Sequence, residues 1–233
     1  SPLSGVITAM APVNDVTVNI TPELNLDEDT SMLIIKLNNK NRLAGSIFSE
    51  VTKSKYNSTP DIDNVDDFKN LFLLIQRMII GKDILAIHDI SDGGLITTLL
   101  EMCFTKKIGM NLNLSGVDKV IEYLFSEESG FVIQVKQKDV TKITTTFTEK
   151  GLVVREIGYL KNDIFSINKD GNELFNKSII EIEKIWRETS HAIQSLRDNK
   201  EIADSELSLL DNNSFSGLIS NIKFDESQIN YPS

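Results

Sequence analysis

Ten consecutive residues, Ala86-Ile87-His88-Asp89-Ile90-Ser91-Asp92-Gly93-Gly94-Leu95, bring together one imidazole, two carboxylates, one hydroxyl and two glycines. Carboxylate oxygens suit Mg²⁺, which typically takes one or two of them together with phosphate oxygens and water. A hydroxyl and two glycines leading into a helix suit a phosphate, because the first N–H groups of a helix have no partner inside it. The composition therefore points to phosphate or metal chemistry. A plain capped turn needs only Ser91 or Asp92 as N-cap and one glycine. It leaves His88, Asp89 and the second glycine unexplained.

The flanking residues say what holds this stretch. Ile84 to Ile87 is an apolar run the size of a buried strand, and residues 95–104 form an apolar run of helical length. The motif thus falls on a strand-to-helix turn. Further strands are predicted at 6–13, 31–37, 110–114, 131–135 and 152–160, with a hairpin joining 163–167 to 173–175. Helices are predicted at 65–80, with Phe68, Leu71, Phe72, Ile75 and Ile79 as the apolar face, at 138–150 and at 178–196. The last has Ile179, Ile182, Ile185, Trp186, Ile193 and Leu196 as its apolar residues. Ala44-Gly45-Ser46 reads as the start of a helix rather than a ligand loop. Glu127-Glu128 reads as a solvated turn, since adjacent residues do not share a helix face. From Arg197 onward charge rises and periodicity weakens, and residues 209–214 look like loop. The irregular alternation and the late hairpin indicate an α+β fold, a mixed β-sheet covered by helices.

The chain has 233 residues, 40% hydrophobic and 25% charged, enough for one large domain or a domain with an extension. A net charge of −10 argues against non-specific nucleic-acid binding, which runs on Lys and Arg contacts to phosphate. A phosphate-bearing ligand must then be held by backbone amides, a metal or local cations. The single cysteine, Cys103, lies in an apolar helical run and reads as a packed thiol. No Cys/His cluster has zinc spacing. No apolar run approaches the ~18 residues of a membrane span, and no secretory leader is visible, so a cytoplasmic protein without membrane partners is expected. The chain enters directly on a strand-like run with no initiator Met, as a piece of a longer polypeptide would.

Taken together, these stretches resemble the C-terminal part of the synthetase region of the phosphoribosylformylglycinamidine synthases, in their large single-chain form. The resemblance rests on His88-Asp89-Ile90-Ser91-Asp92-Gly93-Gly94-Leu95 with Leu99-Leu100-Glu101-Met102, on Phe125-Ser126-Glu127-Glu128-Ser129-Gly130, on Trp186-Arg187-Glu188-Thr189 and on Leu196-Arg197-Asp198-Asn199. It extends over nearly the whole chain. Relatives typically carry Arg where this chain has Ile90, and glycine where it has Ala44. The resemblance implies a domain like the C-terminal domain of aminoimidazole ribonucleotide synthetase over residues 1–196, with 197–233 a connector towards a glutaminase domain. It implies partners within the same polypeptide, nucleotide-binding domains before this one and the glutaminase after it. The activity implied is an ATP-dependent, glutamine-dependent amidoligase of purine biosynthesis, converting formylglycinamide ribonucleotide to its amidine. Mg²⁺ and ATP or ADP are the implied cofactors, with Asp89 matching a metal ligand and Ser91 a nucleotide contact. No catalytic residue is expected in this chain, which alone should be inactive. The alternatives are a domain of another enzyme of the superfamily, such as a selenophosphate synthetase or a hydrogenase-maturation protein, or a non-catalytic interaction module.

Overall fold

A computed structural model describes residues 6–13, 15–27, 29–212, 221 and 223. The chain divides into two compact units, Ser1–Glu181 and Ile182–Ser233. The first unit is built on seven strands: β1 (Thr30–Lys36), β2 (Ala86–Asp89), β3 (Gly109–Asn113), β4 (Gly130–Lys136), β5 (Val153–Lys161), β6 (Ile164–Lys169) and β7 (Asn172–Ser178). Its helices are α1 (Ile47–Thr52), α2 (Val65–Ile80), α3 (Gly94–Phe104), α4 (Val120–Phe125) and α5 (Val140–Thr148). Helix α6 (Ile179–Arg197) carries the chain into the second unit, which adds α7 (Lys200–Ser208). The expected mixed, helix-covered sheet is therefore what the chain forms.

The strands lie in the order β2-β4-β1-β5-β3-β6-β7, antiparallel throughout except for β3 against β6. Strand β1 is interior to the sheet and buried at every residue, which is why its middle, Met32 to Ile35, reads as a continuous apolar run. Leu33 and Ile35 face one side, where with Ile133 and Val135 they pack on Leu71, Leu74, Ile75 and Met78 of α2 and Ile143 and Phe147 of α5. Met32, Ile34 and Val132 alternate to the opposite side. There α3 meets β2, β4 and α4. Cys103 is fully buried on α3, and burial pushes its thiol up to about 12, so it is the packed group its surroundings predicted.

Five expectations are corrected. Residues 6–13 form no strand, and Val6, Ile7 and Met10 are more than nine-tenths exposed. An apolar run becomes a strand only where a partner supplies ladder bonds, and none of the described strands pairs with it. Helix α2 spans 65–80 as predicted but buries Leu71, Leu74, Ile75 and Met78, leaving Phe68 and Phe72 exposed. Apolar residues on two overlapping stripes leave the choice to the sheet. In the last long helix Ile179 and Ile182 are buried, whereas Ile185, Trp186, Ile193 and Leu196 are exposed. Beyond Arg197 the weakly periodic stretch folds into α7, because Asn199 Oδ1 accepts from Ile202 N at 3.1 Å and Ala203 is buried. The predicted loop at 209–214 begins instead with a 3₁₀ turn, Leu209–Asp211, and its last two residues lie outside the described ones.

Candidate functional site

Strand β2 ends at Asp89 and α3 begins at Gly94, so the motif sits on the predicted strand-to-helix turn. Register places His88 beside Val132 and Asp89 beside Phe131 of β4. The Asp89 carbonyl is held twice, by the Thr98 hydroxyl of α3 at 3.1 Å and by His88 Nδ1 at 2.8 Å. Its carboxylate remains 64% exposed, with Oδ1 3.3 Å from His88 Nδ1. On the far side of the imidazole, Nε2 lies 3.1 Å from Glu101 Oε2 of α3. Both ring nitrogens thus face oxygen atoms, one on the strand end and one on the helix. His88 straps the strand end to the helix. Ser91 is exposed and its hydroxyl has no hydrogen-bond partner among the described residues; its carbonyl accepts from Gly94 N at 3.0 Å. Asp89 and Ser91, the two residues the sequence puts forward, therefore present free polar atoms at one corner.

The helix start is built differently from expectation. Neither Ser91 nor Asp92 is the N-cap. That position is Gly93, in the left-handed region at φ +84°, with no side-chain cap. Its N–H donates instead to Glu127 Oε1 at 2.9 Å, and the same oxygen accepts from Ile47 N, also at 2.9 Å, at the start of α1. One carboxylate oxygen thus occupies the amide ends of two helices, where an anion is favoured by the aligned peptide dipoles. Gly94 has its own reason. At φ +74° a Cβ there would lie 2.6 Å from the Phe125 carbonyl carbon and 2.7 Å from Ser126 O. Gly94 thus admits the chain's own backbone at the end of α4, whereas a Cβ at Gly93 would meet the Thr97 side chain.

Glu127 and Glu128 are no solvated turn. Glu128 is 2% exposed and accepts from Arg42 twice, Nε to Oε1 at 2.5 Å and Nη2 to Oε2 at 2.7 Å. The guanidinium also reaches Asp63 at 3.1 and 3.2 Å and the Asp61 carbonyl at 2.9 Å. The Glu128 hydrogen bonds hold Arg42 above its ordinary pKa, while the bond from Lys40, then those from Arg42, hold the Asp63 carboxyl below the usual carboxylate range. Ser46, buried and donating to the Leu43 carbonyl at 2.7 Å, caps α1, so Ala44-Gly45-Ser46 is the helix start it was read as. Glu101 is the residue the sequence reading overlooked as a site member. Its trace was visible: it is the lone charge in the apolar run 95–104 and stands one turn from Thr98.

In the second unit, Ser195 Oγ lies 3.4 Å from His191 Nε2, and Asp204 Oδ1 lies 2.9 Å from the same nitrogen. A nucleophile relay needs its serine and its carboxylate on opposite ring nitrogens. This trio is a surface contact.

The family described as AIR synthase related protein, C-terminal domain, matches over residues 31–167, from β1 through β6. The chain belongs to that family. Among solved structures, the chain is similar to the phosphoribosylformylglycinamidine synthase II of Thermotoga maritima, with a TM-score of 0.58 and 10% identity over 70% of this chain and 27% of that one. The T. maritima PurL complexed with FGAR gives a TM-score of 0.59 and 11% identity, over 70% of this chain and 29% of that one. The HypE-HypF complex gives 0.50 and 14%, over 69% of this chain and 56% of that one. At these identities the likeness is one of fold. The AIR synthase-related domain described here spans under a third of the length of the Thermotoga chains. Among the described residues no helix is long and apolar enough to cross a membrane, and no group of three or more His, Cys, Asp or Glu side chains forms a metal cluster.

Proposed function

We propose that this chain is the C-terminal synthetase-type domain of a phosphoribosylformylglycinamidine synthase of the large single-chain form. It works within a polypeptide that carries nucleotide-binding domains before it and a glutaminase after it, with residues 197–233 as the connector. The observation that carries the reading is the corner at β2 and α3. There a carboxylate and a hydroxyl, Asp89 and Ser91, stand exposed while their backbones are fixed by Thr98, His88 and Gly94. Solved structures of similar fold are of T. maritima PurL with ATP, with ADP and with FGAR, which supports a phosphate-bearing ligand here.

The residues present fit Mg²⁺ through one protein carboxylate. Asp89 offers a hard, accessible oxygen, and Mg²⁺ commonly takes a single protein carboxylate, completing its shell with phosphate and water. In this reading Asp89 holds the metal and Ser91 donates to a nucleotide oxygen. When bound, Mg-nucleotide supplies charge neutralisation at the phosphates. The N–H of Gly93 plays no part, because Glu127 already occupies it. ATP activation of an amide oxygen and ammonia transfer need their reactants held in one geometry. One corner of a site does not achieve that, so this chain alone forms no amidine.

The test uses the complete polypeptide. It should convert formylglycinamide ribonucleotide with ATP and glutamine, and Asp89→Asn should reduce the ADP and Mg²⁺ that co-purify with it. Unchanged nucleotide and metal content in Asp89→Asn refutes the metal assignment; absence of amidine formation by the native polypeptide refutes the enzyme assignment and favours another member of the superfamily.

A further inference from the structure

On the side of the sheet away from α2 and α5, a cleft of ≈ 500 Å³ opens beside the ends of β1 and β5 and the start of α4. Lys36 and Arg155 project into it from these neighbouring strands, and Tyr123 of α4 completes the wall. Lys36 is only 5% exposed. Its ammonium donates to the Lys40 carbonyl at 2.8 Å and to Asn41 Oδ1 at 2.7 Å, and Arg155 Nη2 donates to the Ser115 carbonyl at 2.5 Å. All three acceptors are neutral. Neither cation has a carboxylate within ion-pair distance among the described residues. An ammonium carries three donors and a guanidinium five, so both have donors to spare.

Both cations also sit over the same ring, Lys36 Nζ 5.8 Å and Arg155 Cζ 5.7 Å from the Tyr123 centroid. The Tyr123 hydroxyl is buried with no hydrogen-bond partner. Burial pushes the Lys36 ammonium down to about 8 and the Tyr123 phenol up. A buried charge without an ion-pair partner and a buried hydroxyl without a hydrogen-bond partner both cost stability. No nearby acid pairs with either cation: Asp118 is exposed at the rim, Glu122 pairs with Lys119 at 3.7 Å, and Glu128, whose charge favours the Lys36 ammonium from a distance, bonds to Arg42. Within a chain of net charge −10, two cations without an ion-pair partner among the described residues converge on one donor-rich cleft. Two positive charges match a dianion better than a monocarboxylate, and the volume lies in the range of ~300–1,000 Å³ that small-molecule sites occupy.

We infer that this cleft binds a small phosphomonoester, with Lys36 and Arg155 gripping the phosphoryl oxygens and Tyr123 supplying a further donor. The site uses neither Asp89 nor Ser91 and stands apart from the nucleotide reading above.

Calorimetric titration of the 233-residue chain with ribose 5-phosphate, inorganic phosphate and acetate tests it. The expected result is saturable binding of ribose 5-phosphate, weaker binding of phosphate and none of acetate. Binding should weaken at least tenfold in Lys36→Met and in Arg155→Gln, severalfold in Tyr123→Phe, and stay unchanged in Asp89→Asn. Arg155 is half-buried, so its variant keeps the test decisive where Lys36→Met perturbs folding. Absence of ribose 5-phosphate binding, equal binding of acetate, or insensitivity to both Lys36→Met and Arg155→Gln overturns the inference. Loss of binding in Asp89→Asn would overturn it too, placing the phosphoryl group at the β2–α3 corner instead.

Discussion

Asp89 and Glu128 are carboxylates at the same end of the sheet, and they are built to opposite rules. The Asp89 side chain is 64% exposed with its backbone pinned from two directions; the Glu128 side chain is 3% exposed and its oxygens are filled by one guanidinium. Glu127 stands between them in kind, with one oxygen shared by two helix amides. The difference separates groups held ready for something outside the chain from groups consumed in holding it together. Position in a motif does not make that distinction; saturation of the polar atoms does.

The contrast is open to attack through stability. The largest effect is expected for Glu128→Ala, which strands the mostly buried Arg42 without its main partner and should cost about 3 kcal/mol in urea denaturation. A cost below that of any surface substitution would erase the distinction. Glu127→Ala uncovers the amides of Gly93 and Ile47 together, and about 1 kcal/mol should be lost, as for removal of a helix cap.

Lys36→Met sharpens the comparison from the other side, since it removes a buried charge that has no carboxylate within ion-pair distance among the described residues. It should stabilise the chain by about 1 kcal/mol at pH 7. Burial brings the Lys36 pKa from 10.5 unfolded to about 8 folded, so between those values the unfolded chain binds more protons and native stability rises with pH. The advantage of Lys36→Met should therefore hold below pH 8 and fade towards pH 10.5, as followed by denaturation across that range. The smallest effect belongs to Asp89→Asn, within about 0.5 kcal/mol of the native chain, because the exposed carboxylate makes a single contact, to His88 at 3.3 Å, whose Nδ1 also meets the Asp89 carbonyl. A loss comparable to Glu128→Ala would make Asp89 structural and break the comparison.

Much of this was legible beforehand where a local cause acts alone. Residues 65–80 show a capped helix, and the His88–Leu95 run shows a strand-to-helix turn, because periodicity and glycine placement are properties of a few neighbouring residues. The rest depended on distance along the chain. Glu127 and Glu128 looked solvated because their partners, Ile47, Gly93 and Arg42, lie 34 to 86 residues away. Residues 6–13 have strand composition, and none of the described strands pairs with them. The cleft at Lys36 was invisible for the same reason, since Arg155 and Tyr123 meet it only through the sheet.

The strand order also has a meaning in time. Strand β1 emerges first of the seven, yet its two neighbours are β4 and β5, the latter ending at Lys161. At ~5–20 residues per second of synthesis, Met32 to Ile35 wait roughly 6–25 s after translation before both edges can be covered. During that interval the most apolar strand of the molecule is an open template for any other chain. Productive folding in the cell is therefore a race between the ribosome and foreign β-pairing, and a chaperone that masks residues 30–36 would act during that wait.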